Sequence, residues 1–202
     1  MKESNLEFYV NKFNYLNDID GLDLSFIPPI VRRRMSVLDK ITLSNLNSVY
    51  SDNTENIVFS SQYGEVTKLL KIIDQYMTEK EVSPNTFSGS VHNYAISSFL
   101  LNKQKSIPYT ALSACGQTFS MGLLSSVISN YNNVLYCYSD DNKGIINSFA
   151  INLSKTKEQD ANKYVLIPQN NAVVNDEFIN YQKLLNSEID AIKTPTYTLM
   201  RL

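Results

Sequence analysis

Short β-branched runs alternate with segments of helical period through the middle of the chain, and this alternation constrains the fold most. NIVFSS at 56–61, IPYTALSA at 107–114 and NVLYCYSDD at 133–141 are typical of strands. Between them, 65–77 and 119–128 place apolar residues three and four positions apart, as on one face of a helix. This order predicts an α/β domain of three layers with a mixed sheet.

The rest of the chain extends the same pattern. Residues 33–49 have helical spacing, and 90–101 is apolar on all sides, which is typical of a buried helix. Segments 146–154 and 163–169 are strand candidates, with a turn at DNKG, 141–144. The remaining predictions are a strand or short helix within 1–23, a last helix over 177–192, a short tail beyond Pro195, and one domain over residues 1–202.

Composition excludes several functions. The net charge of −2 at pH 7 argues against a protein that mainly neutralises nucleic-acid phosphates. No apolar run reaches the roughly 20 residues that span a membrane, and MKESNLEFYV lacks a signal-peptide pattern, so we expect a cytoplasmic protein with reduced thiols. One histidine and two distant cysteines cannot form the usual metal sites, and we expect no metal and no cofactor.

Cys115 is the sharpest chemical signal. It lies between a predicted strand and a predicted helix, a position where thiols are exposed as nucleophiles. The alternative is a small buried residue at a tight turn. His92 is the only imidazole that could serve as a base; otherwise its ring bonds the backbone at the start of a helix or in an interface.

Arg32, Arg33 and Arg34 follow two prolines at a predicted helix start, where cations oppose the helix dipole. They are either a solvated charge run or a docking patch for an acidic carrier protein or partner subunit. The QYGE segment, 62–65, is interpreted as an ordinary strand-to-helix loop without catalysis.

Several segments in this order carry a resemblance: IPPIVRRRMSVLDKITL, IVFSSQYGEVTKLLKII, SPNTFSGSVHNYAIS, PYTALSACGQTFSMGLLSSV and VLYCYSDD. Over 26–141 the chain resembles the β-ketoacyl synthase-like chain-length factors of aryl-polyene and related pigment pathways. The resemblance implies a thiolase-like fold corresponding to the N-terminal half of a ketosynthase, truncated relative to a full ketosynthase. It also implies a non-catalytic subunit that pairs with a full-length β-ketoacyl-ACP synthase and shapes the pocket for a carrier-bound acyl chain.

The same resemblance assigns site residues. Its interface strand is Tyr109, Thr110, Ala111, Leu112 and Ser113, and an open apolar edge of this kind favours pairing with another chain. It implies that Phe87 is an acyl-pocket gate. His92 and Asn93 would fix the start of an interface helix behind it.

Cys115 would occupy the nucleophile turn without the histidines of a ketosynthase's C-terminal half. The runner-up is a stand-alone acyltransferase or thioesterase that uses Cys115, and a third hypothesis is a structural or regulatory homodimer.

Overall fold

One eight-stranded sheet organises the chain in the computed structural model, which describes residues 5–142, 144–158, 160–170 and 178–202. The strands are β1 Leu6–Leu16, β2 Asn56–Ser60, β3 Tyr109–Leu112, β4 Asn133–Asn142, β5 Ile145–Ser154, β6 Asn162–Pro168, β7 Ala191–Lys193 and β8 Tyr197–Arg201. The helices are α1 Pro29–Arg32, α2 Val37–Val49, α3 Val66–Glu79, α4 Pro84–Ser88, α5 Tyr94–Lys103, α6 Thr118–Ile128 and α7 Phe178–Leu185.

The sheet order is β3-β2-β4-β5-β1-β6-β8-β7, and it is mixed as predicted. Strand β2 runs parallel to both β3 and β4, whereas the pairs from β4 to β7 across the sheet are antiparallel. The N-terminal segment is therefore a strand at the centre of the sheet, with a register shift between Val10 and Lys12. Strand β3 lies at one edge.

Both faces of the sheet are covered, which confirms the three layers. Successive residues of a strand point to opposite faces, so Ile57 and Phe59 pack in one buried cluster and Val58 in the other. The first cluster includes side chains of α2 and α5, and the second includes side chains of α6 and α7. No helix in the described segments has both the length and the apolar character to cross a bilayer.

The helix predicted from Arg33 begins four residues later. Ser36 caps α2: its Oγ accepts from the Asp39 backbone N–H at 2.9 Å, and the Asp39 carboxylate accepts from the Ser36 N–H at 3.0 Å. This reciprocal pair is a capping box, and it sets the helix start. The arginine triplet consequently lies at and beyond the C-terminal end of the short helix α1, so the expected conflict with a helix N-terminus does not arise.

The predicted last helix over 177–192 is wrong in extent. Residue 177 lies outside the described residues, and α7 ends at Leu185. Ser187 adopts φ +66°, and the Glu188 N–H donates to Lys183 O at 2.8 Å, a left-handed turn that closes the helix. The segment beyond returns as the antiparallel pair β7 and β8, which includes the predicted tail, and buries Ile192 in the core.

Candidate functional site

The turn that carries Cys115 is a strained, exposed elbow between β3 and α6. Cys115 has φ +50°, a left-handed conformation uncommon for a residue with a side chain, and begins a short 3-10 turn that leads into α6. The Thr118 hydroxyl holds the elbow: it donates to Cys115 O at 2.6 Å and accepts from the Ala114 N–H at 2.9 Å. The thiol is free and exposed, contrary to the alternative of a small buried cysteine.

His92 is bonded to the backbone. Its Nε2 lies 3.0 Å from Ser61 O, and because a carbonyl only accepts, Nε2 carries the proton. The ring also packs 5.5 Å from the Phe59 ring centroid and directly against Gly64. Within the described residues no hydrogen bond joins His92 to Cys115, so the structure does not bring the two candidate reactive groups into a bonded pair.

Asp140 organises the loop that follows β2, a role that the sequence did not suggest. Asp140 as a residue is 4% exposed, and its carboxylate accepts four hydrogen bonds. The donors are Ser61 Oγ at 2.9 Å, the Gln62 N–H at 2.9 Å, the Tyr63 N–H at 3.0 Å and Tyr138 Oη at 3.2 Å. Burial raises the pKa of Tyr138 well above its usual value, so the phenol keeps its proton and can donate.

The QYGE loop is thus tied at both ends. Gly64 adopts φ +56°, and its N–H donates to Ser61 Oγ at 2.8 Å. A Cβ at this glycine would lie 3.3 Å from the His92 ring. The Ser113 hydroxyl donates to Gln62 O at 3.4 Å, which links the loop to the segment after β3. The loop therefore places β2, the end of β3 and His92 in one hydrogen-bonded unit.

A buried charged cluster lies at the start of α3. The Lys68 ammonium is 2.6 Å from Asp39 Oδ2 and 3.5 Å from Glu65 Oε2, so it neutralises Asp39 more strongly. Ser36 Oγ donates to Glu65 Oε1 at 2.5 Å. Burial, together with the neighbouring Asp39 charge, raises the pKa of Glu65 to about 7. Glu65 therefore takes up a proton near neutrality.

The arginine triplet divides between two surface depressions. Arg32 and Arg33 line one of about 610 Å³ together with Lys40, whereas Arg34 lines another of about 510 Å³ beside Lys68. None of the three arginines forms an ion pair within the described part of the chain. The first depression combines free cations with apolar side chains, among them Ile19, Leu22 and Val37.

The outer edge of β3 is open. Ile57 N–H donates to Pro108 O, and Ser61 N–H donates to Leu112 O. The backbone N–H and C=O groups of successive residues in a strand point to opposite sides. The N–H and C=O groups that point away from β2 are therefore those of Tyr109, Ala111 and Ser113. Asn93 Nδ2 donates to Tyr109 Oη at 2.8 Å, so the start of α5 is tied to this edge strand, while Thr110 is exposed.

Phe87 lies on the short helix α4 with its side chain 60% exposed. The Gly89 carbonyl, directly after this helix, accepts from Lys68 Nζ at 3.0 Å and so joins α4 to α3. Phe87 therefore projects from a segment that is fixed at its base. Its predicted role as a gate needs an acyl chain or a partner to act on.

Cys137, the second thiol, is buried in the sheet, and burial raises its pKa to about 12. It pairs with no other cysteine. The described residues contain no group of three or more histidine, cysteine, aspartate and glutamate side chains arranged to hold a metal ion. Of the two thiols, that of Cys115 is the exposed one.

Comparisons with known proteins agree with this arrangement. The model of the β-ketoacyl synthase N-terminal domain matches residues 10–148, which is more than half of the chain. A sequence comparison with curated proteins found no match.

Among the solved structures that share the fold are the following two. One is the ketosynthase ApeO in complex with its chain length factor ApeC from Xenorhabdus doucetiae, with a TM-score of 0.69 and 16% identity over 87% of this chain and 82% of that chain. The other is the ishigamide ketosynthase/chain length factor, with a TM-score of 0.62 and 11% identity over 85% of this chain and 60% of that chain. At these identities the likeness concerns the fold, and it confirms the thiolase-like, ketosynthase N-terminal half expected from the sequence. By the match over residues 10–148, the chain belongs to the family of β-ketoacyl synthase N-terminal domains.

Proposed function

We propose that this chain is a non-catalytic subunit of the chain-length-factor type, which pairs with an active β-ketoacyl-ACP synthase. In the complex it shapes the pocket in which a carrier-bound acyl or polyene chain is elongated. The family membership and the fold of the two ketosynthase/chain length factor complexes support this assignment.

The observation that carries the proposal is the open edge of β3 next to the Cys115 elbow. Tyr109, Ala111 and Ser113 present backbone donors and acceptors that β2 does not use. An unprotected edge strand pairs readily with another strand, and natural proteins usually cover it. A partner that adds a strand here would bury the edge.

The surroundings of Cys115 favour a non-catalytic role. Acyl transfer by a thiol needs a base to take its proton and donors for the developing oxyanion. The chain has a single histidine, and its Nε2 proton is engaged by Ser61 O. The exposed thiol on a strained turn is the one feature that favours the runner-up, a stand-alone acyltransferase or thioesterase.

Phe87 is our candidate for the residue that limits chain length. Its exposed ring stands on a fixed helix and can enter a partner's acyl tunnel, where packed atoms tolerate extra methylenes poorly. Phe87→Ala in the assembled complex should lengthen the product by at least one elongation unit, read by mass spectrometry. An unchanged product distribution would assign the gate to another residue.

Arg32 and Arg33 are our candidates for contact with the acidic carrier protein, since neither forms an ion pair with another described residue and both line a depression that also has apolar side chains. Arg34 faces the other depression and belongs less clearly to the same surface. Charge reversal at Arg32 and Arg33 should weaken carrier binding by the complex and make the remaining binding less dependent on salt. Equal salt dependence would remove both residues from the carrier surface.

The decisive experiment is co-expression of the chain with each full-length β-ketoacyl synthase of the same genome, followed by size-exclusion chromatography with mass determination. A one-to-one heteromer is the expected result. A monomer or a homodimer with every ketosynthase would overturn the proposal. Transfer of an acyl group from carrier thioester to Cys115 by the chain alone would instead favour the runner-up.

A further inference from the structure

Helix α3 turns its apolar stripe away from the protein's own core. Leu69, Leu70, Ile73 and Met77 recur at spacings of three and four residues, so they share one side of the helix. All four are exposed, Leu70 at 60% and Met77 at 65%, and Tyr76 next to the stripe is exposed as well. In an ordinary surface helix these positions face the core.

The helix is held by other contacts. Ile72, beside the stripe, is its one buried residue. Lys68 fixes the first turn through Asp39 and through the Gly89 carbonyl. The opposite arc, with Thr67 and Lys71, is polar and exposed. The apolar stripe is thus not needed to attach α3, and its exposure has to be explained by something that covers it.

The exposed area reaches the upper end of what monomeric proteins show. Five large side chains with about half or more of their surface open form a patch of roughly several hundred Å², and a patch of that size on a monomer is often a binding surface. The four-residue edge of β3 is too short to supply the roughly 800 Å² that each partner buries in a stable complex. The α3 stripe supplies apolar area that the edge lacks.

Helix α3 is also linked to the segment that follows that edge strand. Helix α3 follows the QYGE loop, and Gln62 O accepts from the Ser113 hydroxyl directly after β3. Lys68 connects α3 to the segment of Phe87 through Gly89 O. The edge strand, the loop, α3 and α4 therefore adjoin one another.

We infer that the stripe formed by Leu69, Leu70, Ile73 and Met77, together with the adjoining Tyr76, is a docking surface for an apolar face of the ketosynthase subunit. This inference rests on the proposed function and adds a second contact, outside the β3 edge, that determines whether the heteromer is stable. The occupant is the same chain that pairs with β3, because the QYGE loop joins α3 to the end of β3 and the four-residue edge alone is too short for a stable interface.

Leu70→Glu/Met77→Glu tests the inference, with Thr67→Glu/Thr78→Glu as the matched control on the polar arc of the same helix. All four sites are exposed, so both variants should fold, which far-UV circular dichroism verifies. The affinity for the ketosynthase, measured by titration of tagged chain, should fall at least tenfold for the first variant because charges enter an apolar contact. It should change less than threefold for the control.

Each other outcome overturns the inference. If the wild-type heteromer forms and Leu70→Glu/Met77→Glu binds like the control, the stripe is outside the interface while the proposed function stands. If the wild-type chain forms no heteromer, both fail. If the wild-type chain self-associates and the stripe variant abolishes only that association, the occupant is a second copy of this chain.

Discussion

Replacement of Asp140 should destabilise the chain by an amount that its four hydrogen bonds determine. In Asp140→Asn, the retained oxygen still accepts from Ser61 and Tyr63, whereas the new amide faces the Gln62 N–H, which is also a donor. A hydrogen bond to a charged group contributes about 1.5–3 kcal/mol. The variant no longer buries a charge, which offsets part of this loss, so we expect the free energy of unfolding to fall by about 2 kcal/mol.

Two further variants calibrate this value. Asp140→Ala removes every acceptor and leaves buried donors unpaired, for a loss of about 4 kcal/mol. Tyr138→Phe removes one 3.2 Å bond but leaves the carboxylate three partners, and should cost under about 1 kcal/mol. Because the chain has 13 tyrosines and no tryptophan, urea unfolding is followed by far-UV circular dichroism. The loop is not held by this carboxylate if the unfolding free energy of Asp140→Asn is within about 0.5 kcal/mol of the wild-type value. The same conclusion follows if Asp140→Asn lowers that free energy no more than Tyr138→Phe does.

Two other predictions concern buried positions. Glu65 has a folded pKa of about 7 against an ordinary 4.5, so the folded chain holds a proton that the unfolded chain releases between these values, and stability falls as pH rises through that window. Between pH 5 and pH 8, the unfolding free energy of the wild type should fall by about 2 kcal/mol relative to that of Glu65→Gln. Both proteins are unfolded in urea at each pH. A difference in unfolding free energy between them that does not change with pH would contradict this prediction. Gly122→Ala should lower the unfolding free energy by about 1–3 kcal/mol and lower the melting temperature, because its Cβ would lie 2.6 Å from the Tyr136 ring. Gly116→Ala is the control, since the space around Gly116 is open. Equal melting temperatures for the two variants would refute the packing argument.

The sequence predicted the architecture where periodicity decides structure. The strand at 56–61, the helix at 119–128 and the strand at 133–141 are all present to within one or two residues, because covered strands and amphipathic helices repeat distinct patterns. The start of α2 could also have been predicted from the sequence, since Ser36 and Asp39 have the spacing of a capping box. The turn at Ser187 has no such signal, and the strand that follows it was therefore interpreted as helix.

Side-chain partners across the sheet were not predictable in the same way. Asp140 bonds Gln62, 78 positions away, and this contact depends on β4 lying parallel to β2. His92 likewise meets a carbonyl that no local pattern identifies. The exposure of the apolar side of α3 could not be predicted for a related reason. An amphipathic pattern indicates that the apolar side of a helix is covered, but it does not show whether the same chain or a partner covers it.

The contacts of His92 also explain why chemistry and assembly are alternatives at this site. Its Nε2 proton is donated to Ser61 O, while the Ser61 N–H donates to Leu112 O on the interface strand candidate β3. An imidazole that turned towards a substrate would give up this bond and leave a carbonyl at the end of a buried strand without it, which costs about 1–3 kcal/mol. The chain's one imidazole therefore stabilises the strand end that we propose as an interface. The backbone edge of β3 and the apolar stripe of α3 suit association, whereas the exposed thiol of Cys115 has no hydrogen bond to the His92 imidazole within the described residues.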